Sequence, residues 1–466
     1  MPKPQPIALK PAAIVIFGLT GDLAQRKLIP SLYHLVKNGI LHPRSVIMGV
    51  SRRPVTAEEV LNVERLCAGE PEGKCDPAAL KQLQSMLRMH QMDLLDGASY
   101  DNLGKVLDDL DAEADEPLTR LFYLSIPPNV YRPIVGLLGE RGLHAKDARL
   151  LVEKPFGYDL VSARELIAET GEYFAEEQIF RIDHYLAKET VQNILAFRDN
   201  NPIFEPLWSN KYIDRVEVMA AESIGIEGRA LFYEQTGALR DLVQSHLLQL
   251  LAVTTMERPA DMTADAIHAA RLQLLESITP ITTATVATQA VRGQYIGYRD
   301  EVSNPKAITD TFAALKLSID NDRWRGVPII VKTGKALAAK ETKVRIFFRN
   351  PKDPTEPCNC LVFAIQPREG IHIDLQVKQP GFDDALDTAP MEFLYEQQFE
   401  RYGNPDAYER VLVDAIRGDR TLFATSNEVL AAWKVLDAVV TTWGMGDEGL
   451  QLYERGSNGP ELPADF

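Results

Sequence analysis

Short apolar runs rich in β-branched residues alternate with amphipathic stretches through the first part of the chain. Five of these runs have the composition of buried strands: residues 12–18, 45–50, 120–126, 149–152 and 178–182. Residues 22–38, which follow the first run, place leucines at helical spacing. Buried strands that alternate with helices predict a Rossmann-like, doubly wound parallel sheet in a domain spanning residues 1–182.

The pattern changes beyond about residue 190, where a few helices precede strands in which apolar and polar residues alternate. The predicted strands are residues 215–220, 312–319, 327–332, 344–348, 361–365 and 370–377. They predict a larger C-terminal domain, residues 183–466, in which helices back a mostly antiparallel sheet and the other face is free to meet a partner subunit. The predicted fold class is therefore α/β plus α+β.

Charge and hydropathy narrow the possible partners. The formal net charge of −16 argues against nucleic acid and against an acidic membrane surface, because both would be repelled. The first residues have neither the apolar core of a signal peptide nor a transit pattern, and no later apolar run approaches the length of a membrane span. We expect a cytoplasmic protein without a membrane partner.

Four cysteines are too few and too scattered to predict a disulfide framework. Cys358 and Cys360 could form half of a metal site, but no histidine pair with ligand spacing accompanies them. Two reduced thiols are the favoured interpretation, and we expect no metal.

The turn after the first predicted strand could bind phosphate. Its sequence is Gly-Leu-Thr-Gly-Asp-Leu-Ala, and the residues at issue are Gly18, Thr20, Gly21, Asp22 and Leu23. Small residues there let the backbone approach a ligand while free amide groups and the helix end point at an anion. Taken alone, the pattern fits a plain strand-to-helix turn about as well.

The second strand ends in Ser51, Arg52 and Arg53. A domain that binds NAD usually places a carboxylate here on the ribose hydroxyls, whereas a guanidinium can bind a 2′-phosphate in a bidentate geometry. The sequence therefore favours NADP, with two solvated arginines at a strand end as the alternative.

Later strands should deliver more polar groups to the same sheet edge. Pro127 follows the third run where a nicotinamide ring would lie, and Lys154 and Pro155 follow the fourth, the proline being compatible with a cis peptide. Asp183 and His184 follow the fifth.

Two stretches carry candidate catalytic groups. Residues 181–189, Arg-Ile-Asp-His-Tyr-Leu-Ala-Lys-Glu, hold an acid, an imidazole, a phenol and an ammonium, although a solvated helix start is the alternative. His246 lies on the apolar stripe of a helix predicted over residues 234–251. Such a histidine is more often a core residue, but paired with a carboxylate it could act as a general base. Asp183 is a better candidate partner than Asp241, which lies too far round the helix.

These stretches together resemble the glucose-6-phosphate dehydrogenase family. The motifs that carry the resemblance are residues 18–24, Glu-Lys-Pro-Phe-Gly at 153–157, residues 181–189, Gly-Ala-Leu-Arg-Asp at 237–241, Lys-Thr-Gly-Lys at 332–335 and Ala-Lys at 339–340. The resemblance runs from about Ile14 to at least Trp433.

The resemblance implies oxidation of β-D-glucose 6-phosphate at C1 to 6-phospho-D-glucono-1,5-lactone with NADP, the first step of the oxidative pentose phosphate pathway. It implies that His246 removes the proton of the C1 hydroxyl and that Asp183 holds the imidazole. Residues implied to bind the 6-phosphate are His184, Tyr185 and Lys188, with Lys340 and Lys27 as further candidates. Those implied to contact sugar hydroxyls are Glu222, Asp241, Lys335 and Gln366.

The resemblance also implies that Lys154 contacts substrate and coenzyme, that Pro155 shapes a hinge, and that Thr20, Asp22, Leu23 and Arg52 surround the coenzyme. A homodimer or homotetramer is implied as well. Ala187 and Ser245 depart from the glycine and asparagine that are usual in the family. The alternatives are an NAD(P)-dependent sugar dehydrogenase of the inositol-dehydrogenase type and a non-catalytic NADP-sensing protein.

Overall fold

A computed structural model describes most of the chain. The described residues are 9–70, 73–114, 117–127, 130–145, 147–353, 358–398, 405–464 and 466. The chain forms two compact units: Met1–Gly157, Val161–Ala187 and Asn404–Ser426 make the first, and Tyr158–Leu160, Lys188–Gly403 and Asn427–Phe466 make the second. The predicted domain boundary between residues 182 and 183 stays a prediction.

The strands are β1 Ala12–Phe17, β2 Val46–Ser51, β3 Leu87–Gln91, β4 Thr119–Leu124, β5 Ala148–Val152, β6 Ile179–Ile182, β7 Ile213–Ala221, β8 Ala290–Tyr295, β9 Phe312–Leu317, β10 Ile329–Gly334, β11 Glu341–Phe348, β12 Asn359–Gln366, β13 Gly370–Lys378, β14 Leu386–Leu394, β15 Phe423–Ala424 and β16 Leu450–Tyr453.

The helices are α1 Ile29–Lys37, α2 Ala57–Val60, α3 Val63–Ala68, α4 Pro77–Met86, α5 Gly97–Glu113, α6 Tyr131–Glu140, α7 Leu160–Gly171, α8 Glu189–Asn200, α9 Ala230–Ala238, α10 Leu248–Thr255, α11 Ala264–Ser277, α12 Val286–Gln289, α13 Tyr298–Glu301, α14 Tyr395–Gln398, α15 Ala407–Arg417 and α16 Ser426–Gly444. π-Helical segments, Ala24–Leu28 and Leu239–Leu247, lead into α1 and α10. Within the described residues, no helix has both the length and the apolar character needed to cross a bilayer.

The first unit is built on a seven-stranded sheet in the order β15-β6-β5-β4-β1-β2-β3. All neighbours pair in parallel except β15, which is antiparallel to β6. The five central strands are the predicted ones, and the predicted parallel sheet is confirmed. Strands β3 and β15 were not predicted, because β3 is a partly exposed edge strand and β15 has two residues and reaches β6 from far along the chain.

The second unit is built on a nine-stranded sheet in the order β14-β13-β12-β11-β7-β10-β9-β8-β16. Neighbouring strands are antiparallel except for β7 with β10 and β8 with β16. The mostly antiparallel sheet with helices is therefore confirmed. Every residue of α10 is buried, whereas α11 buries one face, which includes Ile267, Leu274 and Leu275.

The cysteines include one bonded pair that was not predicted. Cys67 and Cys75 form a disulfide that joins the end of α3 to the segment before α4, with a Cα–Cα distance of 4.9 Å. The two cysteines are 8 positions apart in the sequence, and that spacing alone does not predict a bond between them. Cys358 and Cys360 are free.

Candidate active site

The turn after β1 is shaped by its first glycine. Gly18 has a φ of +88°, and a Cβ atom there would lie 2.3 Å from the carbonyl oxygen of Ser125. The amide of Gly21 donates to the Gly18 carbonyl over 2.8 Å, which closes the turn. Only glycine combines this conformation with so close an approach to the strand-end loop. Asp22 is exposed and pairs with Arg26 over 2.6 Å, and Leu23 is partly buried.

A cleft of about 670 Å³ opens above this turn at the carboxyl edge of the sheet. Its lining consists of Gly18, Thr20, Val50, Ser51, Arg52, Arg53, Asp93, Leu94, Leu95, Ile126, Pro127 and Val130. The cleft thus brings together the glycine turn, the end of β2 and the segment after β4, each of which was predicted separately as part of a coenzyme site. A glycine cradle beside two guanidinium groups fits the phosphates of a dinucleotide.

The loop after β3 contributes to this cleft and was missed. Asp93, Leu94 and Leu95 line it, and the Leu95 amide donates to the Asp93 carboxylate over 3.0 Å. None of the predicted site residues lies between residues 55 and 118. An irregular loop has no periodic pattern, and β3, which positions it, is too polar to be recognised.

Lys154 follows β5, and its peptide bond to Pro155 is cis. The preceding Glu153 is buried, and its carboxylate accepts a hydrogen bond from the Tyr123 hydroxyl over 2.6 Å. Burial raises the pKa of Glu153 to about 7, against the lowering effects of Tyr123 and Lys154. Glu153 was not singled out from the sequence, because a glutamate at a strand end is usually solvated.

Asp183 directly follows β6 and is buried, with its carboxylate accepting from the Tyr185 amide over 3.0 Å. The ring of His184 packs against Tyr185, with ring centroids 5.2 Å apart, and against Tyr408, with centroids 6.2 Å apart and planes 15° apart. Tyr408 lies on α15, which belongs to this unit although it is more than two hundred residues further along the chain. No local pattern could have predicted that contact.

Lys27 is also in the first unit. Its ammonium group is half exposed and donates to the Asp406 carboxylate over 3.0 Å. Asp406 caps the N-terminus of α15, so this lysine is engaged in an ion pair between the helical segment after β1 and α15.

The second unit brings together three of the predicted sugar-binding residues. Lys335 is buried, forms an ion pair with Glu222, and lies 5.4 Å from the ring centre of Tyr233. Asp241 is close enough to Tyr233 to raise the pKa of its hydroxyl, after the larger effect of burial. Tyr233 was missed because an aromatic residue at helical spacing is usually core. Here its ring orders the lysine by a cation–π contact.

The helix that carries His246 begins later than predicted. Gly237, with φ 62° and ψ 179°, breaks the predicted helix of residues 234–251. A new helix starts at Leu239, whose amide donates to the buried Asp310 carboxylate over 2.8 Å, and continues through α10. His246 is buried in its π-helical part. Asp310 therefore fixes the start of the element that holds the candidate base.

Lys188 lies at the N-terminus of α8 and hydrogen-bonds the side chain of Gln366. Gln366 in turn donates to the Thr342 hydroxyl over 3.0 Å. Lys340 is exposed just before β11. Lys188, Lys335 and Lys340 all belong to the second unit, whereas His184 and Tyr185 belong to the first. The pairing of Asp183 with His246 stays a prediction, since these two residues also belong to different units.

The first unit has a glycine turn and a basic cleft, and the second has paired lysine and carboxylate groups. These features are typical of dinucleotide-dependent dehydrogenases that act on polar small molecules. Family models match both parts of the chain: the NAD binding domain of glucose-6-phosphate dehydrogenase over residues 15–193, and the C-terminal domain of the same enzyme over residues 195–466. The chain therefore belongs to the glucose-6-phosphate dehydrogenase family, and a nicotinamide dinucleotide is its coenzyme.

Relatives are similar over their whole length. Glucose-6-phosphate 1-dehydrogenase of Rhizobium meliloti is 38% identical, covering 98% of this chain and 96% of the relative, and that of Bacillus subtilis has the same identity and coverage. A solved structure of glucose-6-phosphate dehydrogenase in complex with its substrate glucose-6-phosphate is 33% identical, with a TM-score of 0.89 over 97% of this chain and 96% of that one. A myo-inositol dehydrogenase from Corynebacterium glutamicum, 12% identical with a TM-score of 0.50, shares the fold alone.

Proposed function

We propose that the protein oxidises β-D-glucose 6-phosphate at C1 to 6-phospho-D-glucono-1,5-lactone, with NADP as the hydride acceptor, as the first step of the oxidative pentose phosphate pathway. The observation that carries the proposal is the Lys335–Glu222 pair beside Tyr233 and Asp241, in a chain of this family. A buried ammonium held by a carboxylate can order sugar hydroxyls, because it donates while the carboxylate accepts.

The proton and the hydride leave the substrate separately. His246 takes the proton of the C1 hydroxyl, and its burial limits the competing hydration of the imidazole. A bound nicotinamide dinucleotide would accept the hydride from C1. We assign Asp183 to orienting and charge-stabilising the imidazole, which needs a carboxylate once it is protonated.

We assign the 6-phosphate to His184, Tyr185 and Lys188, with Lys340 as a further contact. Gln366, which hydrogen-bonds Lys188, keeps that ammonium in place and reads sugar hydroxyls with Glu222, Asp241 and Lys335. Local cationic groups are required because a dianion has to bind a chain of net charge −16. Lys27 is the weaker candidate, since Asp406 already neutralises it.

The preference for NADP rests on Arg52 and Arg53, which line the cleft together with Ser51. Guanidinium groups favour a 2′-phosphate. Thr20 shares the lining, while Asp22 and Leu23 flank the turn and Lys154 and Pro155 follow β5 in the same unit.

The direct test is the absorbance change at about 340 nm with glucose 6-phosphate and either NADP or NAD, and with unphosphorylated glucose as the control. We expect rapid reduction of NADP with the phosphorylated sugar alone. Equal rates with glucose and with glucose 6-phosphate would contradict the assignment of the phosphate-binding residues. No reduction with either coenzyme would contradict the proposed function and favour a sensing protein.

The coenzyme preference has its own test, since Arg52→Ala removes one guanidinium from the cleft. We expect the Kd for NADP to rise by at least tenfold and the Kd for NAD to change little, because a bidentate charged contact contributes about 1.5–3 kcal/mol. Both Kd values can be measured from the quenching of protein fluorescence by the added coenzyme. The control is Arg44→Ala, which changes an arginine before β2 that does not line the cleft. Equal losses for the two coenzymes would overturn the 2′-phosphate assignment.

We further propose a cytoplasmic homodimer that could pair into a tetramer. Six of the nine residues of β14 are exposed, and the exposed large apolar side chains of β13 and β14 include Val377, Leu386 and Met391. A sheet end of this kind is suited to burial against a second copy.

A further inference from the structure

A buried carboxyl in the first unit is held by hydroxyl groups from separate elements. The Glu153 carboxylate accepts from Tyr123 of β4 over 2.6 Å and also hydrogen-bonds Tyr408 of α15. The backbone oxygen of Glu153 accepts from Tyr131 of α6 over 3.2 Å. Burying a carboxyl is costly unless it is hydrogen-bonded, so such an arrangement indicates a group kept in place for a purpose.

Tyr408 has a second contact. Its ring lies nearly parallel to that of His184, with centroids 6.2 Å apart and planes 15° apart. Tyr408 is itself fixed, since it is buried and its amide donates to the Asp406 cap over 2.9 Å. The far end of α15 is held by Arg149, which donates to the Ile416 carbonyl over 2.6 Å. One rigid side chain therefore contacts His184 through its ring face and Glu153 through its hydroxyl.

We propose that Tyr408 is a positioning residue of the reaction: its ring supports His184, and its hydroxyl holds the Glu153 carboxyl next to Lys154. This inference rests on the proposed function, which assigns His184 to the substrate phosphate and Lys154 to substrate and coenzyme. A residue brought in from α15 thereby orders two groups that come from different strand ends, β5 and β6.

The pKa of the Glu153 carboxyl can be measured, and it tests the proposal. Burial raises the pKa of Glu153 to about 7, Tyr123, Lys154 and Tyr408 act to lower it, and Asp183 acts to raise it. These are the groups that face Glu153 from β4, its own strand end, α15 and the end of β6. The carboxyl is thus mostly protonated below about pH 7 and mostly ionised above it. Removing the Tyr408 hydroxyl removes a donor to the carboxylate, so the pKa of Glu153 should rise.

The experiment compares Tyr408→Phe, Tyr408→Leu and the control Tyr131→Phe, which removes a hydroxyl that bonds the backbone of Glu153 rather than its carboxyl. The carboxyl is titrated by infrared difference spectroscopy, with Glu153→Gln identifying its band. Steady-state kinetics on the full chain give KM for glucose 6-phosphate and for NADP.

We expect Tyr408→Phe to move the carboxyl midpoint to higher pH, with KM for glucose 6-phosphate unchanged well above that midpoint. Tyr408→Leu, which also removes the ring, should raise KM for glucose 6-phosphate roughly two- to tenfold, since an aromatic pair contributes about 0.5–1.5 kcal/mol, and leave KM for NADP nearly unchanged. Tyr131→Phe should change neither quantity.

An unchanged midpoint in Tyr408→Phe, or equal changes of both KM values in Tyr408→Leu, would overturn the inference while the activity of the wild type upheld the proposed function. A wild type without activity toward glucose 6-phosphate would overturn both. The two failures are therefore distinguishable.

Discussion

His246 is the residue on which the proposed chemistry depends most directly. His246→Asn keeps a polar group of similar size but cannot take a proton, so we expect kcat to fall by about 10²- to 10⁴-fold while KM changes little. His268→Asn is a suitable control, because His268 is also a buried histidine on a helix of the second unit. Turnover close to that of the wild type in His246→Asn would remove the assignment of the base.

Gly237 shows how a backbone conformation can support catalysis from a distance. With φ 62° and ψ 179° it occupies a region open almost exclusively to glycine, and a Cβ atom would lie 2.5 Å from the Asp310 carboxylate that starts the His246 helix. We expect Gly237→Ala to lower the melting temperature and kcat together, with a stability loss of about 1–3 kcal/mol.

Gly228→Ala is the matched control for Gly237→Ala. Gly228 also has a positive φ, +77°, but a Cβ atom there would meet nothing within 4 Å. Its alanine variant should therefore lose some stability and keep its turnover. If the two variants had the same kcat, the contact with Asp310 would have no part in placing the helix.

At the scale of elements, His34 of α1 connects α15 to the segment that follows α3. Its Nδ1 lies 2.8 Å from Glu409 and its Nε2 lies 2.7 Å from Glu70. The hydrogen bond with Glu409 and then that with Glu70 raise the pKa of His34 above 6.5, against the opposing effect of burial. The folded state therefore holds the proton of His34 more tightly than the unfolded state does. The contribution of His34 to the free energy of unfolding is complete below pH 6.5, and it is lost as pH rises through the higher pKa of the folded state.

The prediction concerns the melting-temperature difference between wild type and His34→Gln. We expect it to be largest near about pH 6 and to shrink toward about pH 8.5, when measured by differential scanning calorimetry in matched buffers. A His34→Gln difference that grows with pH would contradict the sign.

Local patterns accounted for most of the central elements and for few of the edges. The five inner strands of the first sheet are continuous apolar runs, so composition alone identified them. Strands β3, β8, β14, β15 and β16 were missed because they are short, polar or at sheet edges, where one-sided burial leaves little pattern. The break at Gly237 was also missed, since the residues on both sides of it keep helical spacing.

Some residues of the candidate site could likewise be predicted from the sequence, and others could not. Residues next to a recognisable turn or strand end, such as Gly18, Arg52 and Lys154, could be predicted from the chain itself, and the family resemblance supplied roles for Lys335 and Gln366. Tyr408 and Asp93 could not be predicted, because a long-range antiparallel pairing brings in the first and an irregular loop carries the second. Tertiary contacts of this kind leave no periodicity to read.

At the scale of the whole molecule, the exposed end of the second sheet predicts self-association. Met391 on β14 is 64% exposed, and Met391→Asp would place a charge in the proposed dimer contact. We expect the wild type to sediment as a dimer or tetramer and this variant as a smaller species. Ile203→Asp, at a residue 73% exposed outside the sheet, should leave the mass unchanged. A monomeric wild type would contradict the proposal.

The return of the chain to the first sheet has a consequence for synthesis on the ribosome. Strand β15 covers the edge of β6, and α15 packs against α1 and carries Tyr408 and Glu409. The first unit therefore cannot close when its first six strands have emerged, and it must wait until about residue 426 has left the exit tunnel. During that interval the nascent chain presents an open sheet edge and an uncovered apolar surface, so its need for chaperones should be greatest when the chain is nearly complete.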